Sequence, residues 1–253
     1  EVTAAAEAMI LSASGWRTIF AADGDEESPT GRVSPAGLVL AAAAADVFGR
    51  YMLRRGLHEG GRPRDGSSRP VRLCIGVDTR PTGPVLAHVM IRRFLSIGIE
   101  PVYLFVSAAP EIMAYVKRAG GLDGFAYISA SHNPVGHNGF KFGGRDGGVL
   151  GGTEIKPLIN EYRDLLAEPG RAAGLCAEVE NAPFAEVERV FGRSAEYKTA
   201  ALLEYAEHLR EVVSAAADPA EQENFFCGLR SALEISPLGI VADLNGSART
   251  VSI

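Results

Sequence analysis

The stretch "GFAYISASHNPVGHNGFKF", residues 124–142, carries both the fold and the chemistry of this chain. An apolar run, Phe125-Ala126-Tyr127-Ile128, stops abruptly in Ser129, Ser131 and His132, and the chain then returns with Lys141. Two readings compete: an ordinary hairpin, or a buried strand that presents a reactive hydroxyl at its end. The upstream residues favour the second. "VRLCIGV" (71–77) has the pattern of a buried strand, 83–99 of a helix ending at Gly98, "PVYLFVS" (101–107) of a strand, and 110–120 of a helix. Strands alternating with helices imply βαβ crossovers, largely parallel pairing and helices on both faces of the sheet. The expected fold is a three-layer α/β/α domain with a mainly parallel mixed sheet. Ligands of such sheets bind beyond the carboxyl ends of the strands. Asp78-Thr79-Arg80, Ser107 to Pro110 and Ser131-His132 all fall there.

Outward from this core, "GWRTIF" (15–20) predicts a loop entering a short strand, and 23–32 is turn-rich. Ser34-Pro35 fits an N-cap with proline at the first helical position, followed by apolar residues at helical spacing to Tyr51. A polar Gly/Arg/Ser connector, read as a mobile loop, runs from about Gly56 to Arg69. Further helices are expected from Thr153 to about Leu166, from about Ser194 to Ala217 with Leu202, Tyr205, Leu209, Val212 and Val213 on its apolar face, and over Glu221–Leu233. Residues 168–183 have weak periodicity. "LGIVADLNGSARTVSI" at the end resembles the opening strand and loop of another, similar α/β unit. Residues 1–195 are thus expected to be one domain and 196–253 the start of a second.

The 253 residues carry a formal net charge of −6, with 47% hydrophobic and 22% charged side chains. That balance suits a globular core and disfavours nucleic acid as the main partner, because phosphate backbones call for basic patches. No apolar stretch is read as approaching a membrane span, so no membrane partner is expected. Cys74, Cys176 and Cys227 lack CxxC spacing and are read as reduced, mostly packing residues of a cytoplasmic protein.

No G-x-S-x-G elbow surrounds Ser131, and His132 is its immediate neighbour, so neither supports a hydrolytic triad. Acyl transfer is disfavoured. Phosphoryl transfer suits the residues better: a phosphoserine carries about −1.5 to −2 charges and needs cations nearby. Lys141 on the returning strand, Arg80 at another strand end and Arg17 in an early loop are the candidates.

"SASHNPVGHNGFKF" (129–142) resembles the active-site serine loop of the α-D-phosphohexomutases, the phosphoglucomutase/phosphomannomutase superfamily. "SGWR" (14–17), "VDTRPTG" (77–83) and "DGG" (146–148) are similar to further segments of that family, in the same order. The resemblance implies interconversion of hexose 1-phosphate and hexose 6-phosphate, glucose or mannose, through a phosphoserine and a bisphosphorylated sugar. It implies Ser131 as phosphoserine and Mg²⁺ ligand, and Lys141 as general acid/base or charge partner. His132 and Arg17 would contact the phosphoryl group or sugar, with Ser14, Arg80 and Asn138 binding phosphate or supporting the site. The remaining magnesium ligands, an Asp-x-Asp-x-Asp loop, are expected beyond residue 253, so this chain alone is expected to be nearly inactive. "DGD" (23–25) is read as a turn, and "DLNGS" (243–247) as a structural loop. Ser129 stands where the family has threonine, and "SAAPE" (107–111) keeps only Pro110 of its usual Pro-Thr-Pro. The alternative is a non-catalytic phosphosugar-binding or regulatory module.

Overall fold

A computed structural model describes residues 1–56 and 69–252; the connector read as a mobile loop lies almost wholly outside them. Two elements precede the first predicted strand, helix α1 (Val2–Glu7) and strand β1 (Ile10–Ser12). The chain continues through β2 (Gly15–Ile19), α2 (Pro35–Gly56), β3 (Arg72–Val77), α3 (Gly83–Ser96), β4 (Glu100–Val106), α4 (Ala109–Arg118), β5 (Gly124–Ile128) and β6 (His137–Gly144). Helices α5 (Gly152–Ala167), α6 (Arg171–Glu180), α7 (Phe184–Gly192), α8 (Ser194–Ser214) and α9 (Pro219–Ile235) follow, and a short 3-10 turn closes the described chain at Ala248–Val251.

The six strands form one open sheet in the order β1-β2-β6-β5-β3-β4. β3 pairs in parallel with β4 and β5, as the crossovers require. The β1–β2, β2–β6 and β5–β6 pairings are antiparallel, so the sheet is more evenly mixed than alternation alone suggests. The β5–β6 reversal is too short for a crossover, and only an antiparallel return is available to it. Helices cover both faces. Trp16, Phe140 and Phe142 meet α2, α3 and α5 on one side, while Cys74, Leu104, Phe125 and Tyr127 meet α4 and the start of α8 on the other.

Ser34 Oγ accepts the Gly37 N–H at 3.1 Å, the predicted cap of α2. This helix corrects the membrane reading: over Pro35–Arg55 it is long and apolar enough to cross a bilayer by length and composition. Its apolar surface is instead packed into the core, with every residue from Leu40 to Phe48 buried. The alanine run allows that depth, because small side chains let the sheet and α3 approach closely. Asp46 is enclosed with them, 1% exposed, and Arg93 of α3 at 2% answers it. Arg93 Nε donates to Asp46 Oδ1 at 3.0 Å, and Arg50 Nε reaches the same oxygen at 2.9 Å.

Several readings are corrected toward the end of the chain. Residues 168–183 contain α6, and α7 begins at Phe184, just beyond them; both are too short to develop a clear apolar stripe. In α8 only Tyr197 and Ala201 are buried, and Leu209, Val212 and Val213 face solvent. Residues 238–243, expected as a strand, are not one: no strand lies beside them among the described residues, and Val241 is fully exposed. A strand without a neighbour leaves its backbone groups to water and gains nothing over coil. Of the three cysteines, only Cys74 is a packing residue; Cys176 and Cys227 are exposed, and all are unpaired.

Replacing Asp46 leaves Arg93 enclosed with only the partly exposed Glu178 as counter-charge. Asp46→Ala is expected to cost about 3–5 kcal/mol of stability, the range for breaking a buried ion pair. Urea unfolding of the variant beside the parent chain measures it; a loss below 1 kcal/mol would contradict this account of the α2–α3 contact.

Candidate active site

The three polar clusters at the strand ends do converge. After β3 the chain crosses one face of the sheet through α3 to reach β4, and α4 then carries it back across the other face to β5. The carboxyl ends of these strands therefore open between diverging helices, where ligands of such folds bind. A cleft of about 610 Å³ lies there, bordered by Asp78, Arg80, Pro110, Tyr127, Ser131 and Lys141 among others. His132 is on its rim.

Ser131 is exposed, and its backbone is left-handed, with φ of 60°. That conformation is costly for a residue with a β-carbon and persists only where its surroundings enforce it. Two sets of contacts do so. Ser129 Oγ accepts the Ser131 N–H at 3.1 Å, which closes a tight turn. The Arg80 guanidinium, only 9% exposed, donates to Ser131 O at 3.0 Å, Asn133 O at 2.6 Å and His137 O at 3.2 Å, and also to Pro134 O. Asp78 holds Arg80 in turn, accepting from its Nε at 3.1 Å and its backbone N–H at 3.0 Å. Arg80 is thus a clamp on the serine loop, with its donors taken up by protein.

Lys141 and Arg17 differ from Arg80. The side chain of neither makes a hydrogen bond or ion pair with another described residue, and Arg17 Nε is buried without a partner. They approach one another because each crosses a glycine on the neighbouring strand. Gly139 pairs with Arg17 in the β2–β6 register, and a β-carbon at Gly139 would stand 2.9 Å from Arg17 Cβ. A β-carbon at Gly15 would stand 3.3 Å from Lys141 Cγ. Burial first, and then the like charge of Arg17, hold the Lys141 ammonium below the ordinary lysine range; Asp78 works weakly the other way. Lys141 borders the cleft together with Ser131, and with Arg17 close behind it this edge of the cleft favours an anion.

The other expected residues are less central. Asn138 is fully buried, its Nδ2 donating to Thr82 Oγ1 at 3.0 Å and its Oδ1 accepting the Gly139 N–H at 2.9 Å. It joins β6 to the start of α3. Ser14 lies at the tip of the β1–β2 hairpin, with its hydroxyl 2.9 Å from Ser12 Oγ, and neither Ser14 nor Arg17 borders the cleft directly. Asp23 and Asp25 of "DGD" sit in turns; Asp23 Oδ2 accepts from Ser28 Oγ at 2.7 Å, which keeps that carboxyl below its usual range. Sequence reasoning missed the segment around Asn245, Ser247 and Arg249, which closes the far side of the cleft. Magnesium asks for several hard oxygens in a near-octahedral array. The cleft offers Ser131 Oγ and an Asp78 carboxylate already engaged by Arg80, and no metal-binding group of three His, Cys, Asp or Glu occurs among the described residues. These side chains do not by themselves fit the ion, and no step below runs through it.

Two outcomes follow from this geometry. Arg80→Lys, which keeps the charge but not the fork of donors, is expected to cost about 2–4 kcal/mol in the opening of the 131–137 loop, seen as faster amide exchange there than in the sheet. Unchanged protection would remove the clamp. Arg17→Gln takes a like charge from Lys141 and is expected to raise its pKa, read from the pH dependence of its side-chain NMR resonances; a fall would show that the two cations do not sense each other.

Residues 62–166 match the family model described as "Phosphoglucomutase/phosphomannomutase, alpha/beta/alpha domain I". The phosphoglucosamine mutase of Lactobacillus delbrueckii subsp. bulgaricus is 38% identical over 131 residues, 51% of this chain and 27% of the relative. That of Lacticaseibacillus casei is 43% identical over 114 residues, 44% of this chain and 24% of the relative. The chain thus spans about a quarter of the length of the curated relatives it matches. A solved phosphoglucomutase/phosphomannomutase family protein from Burkholderia thailandensis superimposes with a TM-score of 0.41 at 20% identity, over 61% of this chain and 31% of the other. Residues 62–166 thus carry the first α/β/α domain of the phosphoglucomutase/phosphomannomutase family.

Proposed function

We propose that this chain is the serine-bearing part of a phosphohexomutase that moves phosphate between the 1- and 6-positions of a hexose through a phosphorylated Ser131. The carrying observation is the exposed Ser131, held in a left-handed turn at the mouth of a cleft that Lys141 also borders, with no carboxylate ion-paired to that lysine among the described residues. The curated relatives are named phosphoglucosamine mutases. Glucosamine phosphates therefore join the glucose and mannose phosphates expected from sequence as substrates. Residues 1–195 form the first domain in this reading and 196–253 the start of a second. The three unpaired cysteines suit a cytoplasmic setting.

In the forward step a sugar hydroxyl attacks the phosphorus of phosphoserine, the P–Oγ bond breaks, and Ser131 Oγ leaves with the electron pair and takes up a proton. In the return step Ser131 Oγ gives up that proton and attacks the other phosphate of the bisphosphorylated sugar. Catalysis of such a loose transfer consists of positioning and charge stabilisation. Arg80 and Ser129 position the loop, and Lys141 and Arg17 stabilise the charge on the phosphoryl oxygens. A lysine with a lowered pKa also gives and takes protons more readily near neutral pH, so Lys141 is the proton carrier of this scheme. His132, exposed on the rim, contacts the phosphoryl group or the sugar.

Incubation of the chain with glucose 1,6-bisphosphate is expected to leave one phosphate on the peptide that contains Ser131, by mass spectrometry. Ser131→Ala should abolish it, and Lys141→Ala should slow it by about 10²–10⁴-fold. Multiple turnover in a coupled mutase assay is expected to stay near background, because the sugar must be turned and held between the two steps. Phosphate on another residue, or labelling of Ser131 by a fluorophosphonate probe instead, would overturn the reading.

A further inference from the structure

Beyond α9 the chain runs through solvent at Leu238, Ile240 and Val241 and then comes back onto the protein. Asn245 and Gly246 adopt left-handed backbone, φ 47° and 61°, and turn it toward the carboxyl ends of the strands. The turn that follows is anchored. Ala248 and Ser252 are buried, 6% and 8% exposed. Ser252 Oγ donates to the Glu111 carboxylate and accepts the Ala108 N–H at 3.3 Å. Glu111, with no exposed surface, also pairs with Lys198 Nζ at 2.5 Å. A buried carboxylate demands partners of this kind, and Ser252 is one of them.

The anchor fastens residues 245–252 to the first turn of α4, which is itself a wall of the cleft. Asn245, Ser247 and Arg249 border that cleft, on the side away from β6. The Arg249 side chain makes no hydrogen bond or ion pair with any described residue. Of the cations bordering the cleft, Arg80 has its donors taken by Asp78 and the loop carbonyls, whereas Lys141 and Arg249 have theirs free. An arginine without a carboxylate, facing a cleft that already holds a free lysine, presents a planar fork suited to phosphate oxygens.

We propose that residues 245–252 form the second wall of the phosphosugar cleft, and that Arg249 is a further anion-binding residue, delivered there by the Ser252–Glu111 anchor. The inference rests on the phosphosugar reading of the Ser131 cleft. It also explains why "DLNGS" is more than a connecting loop: Asn245 and Gly246 supply the two left-handed residues that redirect the chain.

Calorimetric titration of the 253-residue chain with sulfate, at constant ionic strength, tests it. Sulfate keeps the same charge through neutral and alkaline pH. Arg249→Ala is expected to weaken sulfate binding by about three- to tenfold, the scale of one charge-assisted contact at a partly exposed site, with the melting temperature unchanged. Arg249→Lys should recover part of that loss. Ser252→Ala should weaken binding by a similar factor, and the double variant no further than either single one. Wild-type affinity in Arg249→Ala, with affinity lost in Lys141→Ala, would overturn the role of Arg249 and leave the Ser131 cleft as an anion site. Wild-type affinity in both would overturn the anion site and the inference together.

Discussion

The enclosed Arg80 guanidinium is the contact on which the serine site depends. A cation taken out of water must be matched by charge and by hydrogen-bond acceptors, or the fold bears the cost. Asp78 supplies the charge, and the carbonyls of Ser131, Asn133, Pro134 and His137 supply the acceptors. The need is mutual, because a loop that turns its carbonyls inward requires donors for them. The strained backbone at Ser131 follows from this closure. With its own carbonyl tied to Arg80 and its N–H to Ser129, the residue has its side chain left to face the cleft.

A second constraint sorts the cations by role. Arg80, Arg93 and Arg69 each face a carboxylate within 3.1 Å and serve the structure. Arg17 and Lys141 make no ion pair among the described residues, and two glycines make their approach possible. Gly139 is the more telling of the two. A β-carbon there would lie 2.2 Å from the Trp16 carbonyl oxygen, so the strands could not keep their spacing with any larger residue. The segments "SGWR" and "NGFK" therefore share one device. Each provides a cation and, across the ladder, the gap through which the other strand's cation passes.

Much of this was legible in the sequence. The alternation of apolar runs with helical spacing located β3, α3, β4, α4 and β5, since period and turn residues are local properties. The three strand-end clusters were legible for the same reason. Elements that depend on neighbours were not. β1 is three residues long and exists through its pairing with β2; α6 and α7 have one and two buried residues, too few for a stripe to emerge. The apolar face assigned to α8 is mostly exposed, because only the first turns of that helix reach the sheet. Residues 238–243 have strand-like composition but no strand beside them, and composition does not supply a partner.

At the site the same division holds. The residue types and their order pointed to a serine, a lysine and an arginine at the carboxyl ends of the strands, because strand direction and crossover handedness leave little choice, and Ser131, Lys141 and Arg80 border one cleft. Which arginine is free and which is clamped was decided by the tertiary structure alone, since it turns on where carbonyls and carboxylates from distant segments end up. The burial of Asn138, the depth of Asp46 within an apolar helix and the arrival of Arg249 at the cleft were decided in the same way. Local sequence sets which groups a segment can offer; only packing sets which of those groups remain unpaired, and it is the unpaired ones that can bind.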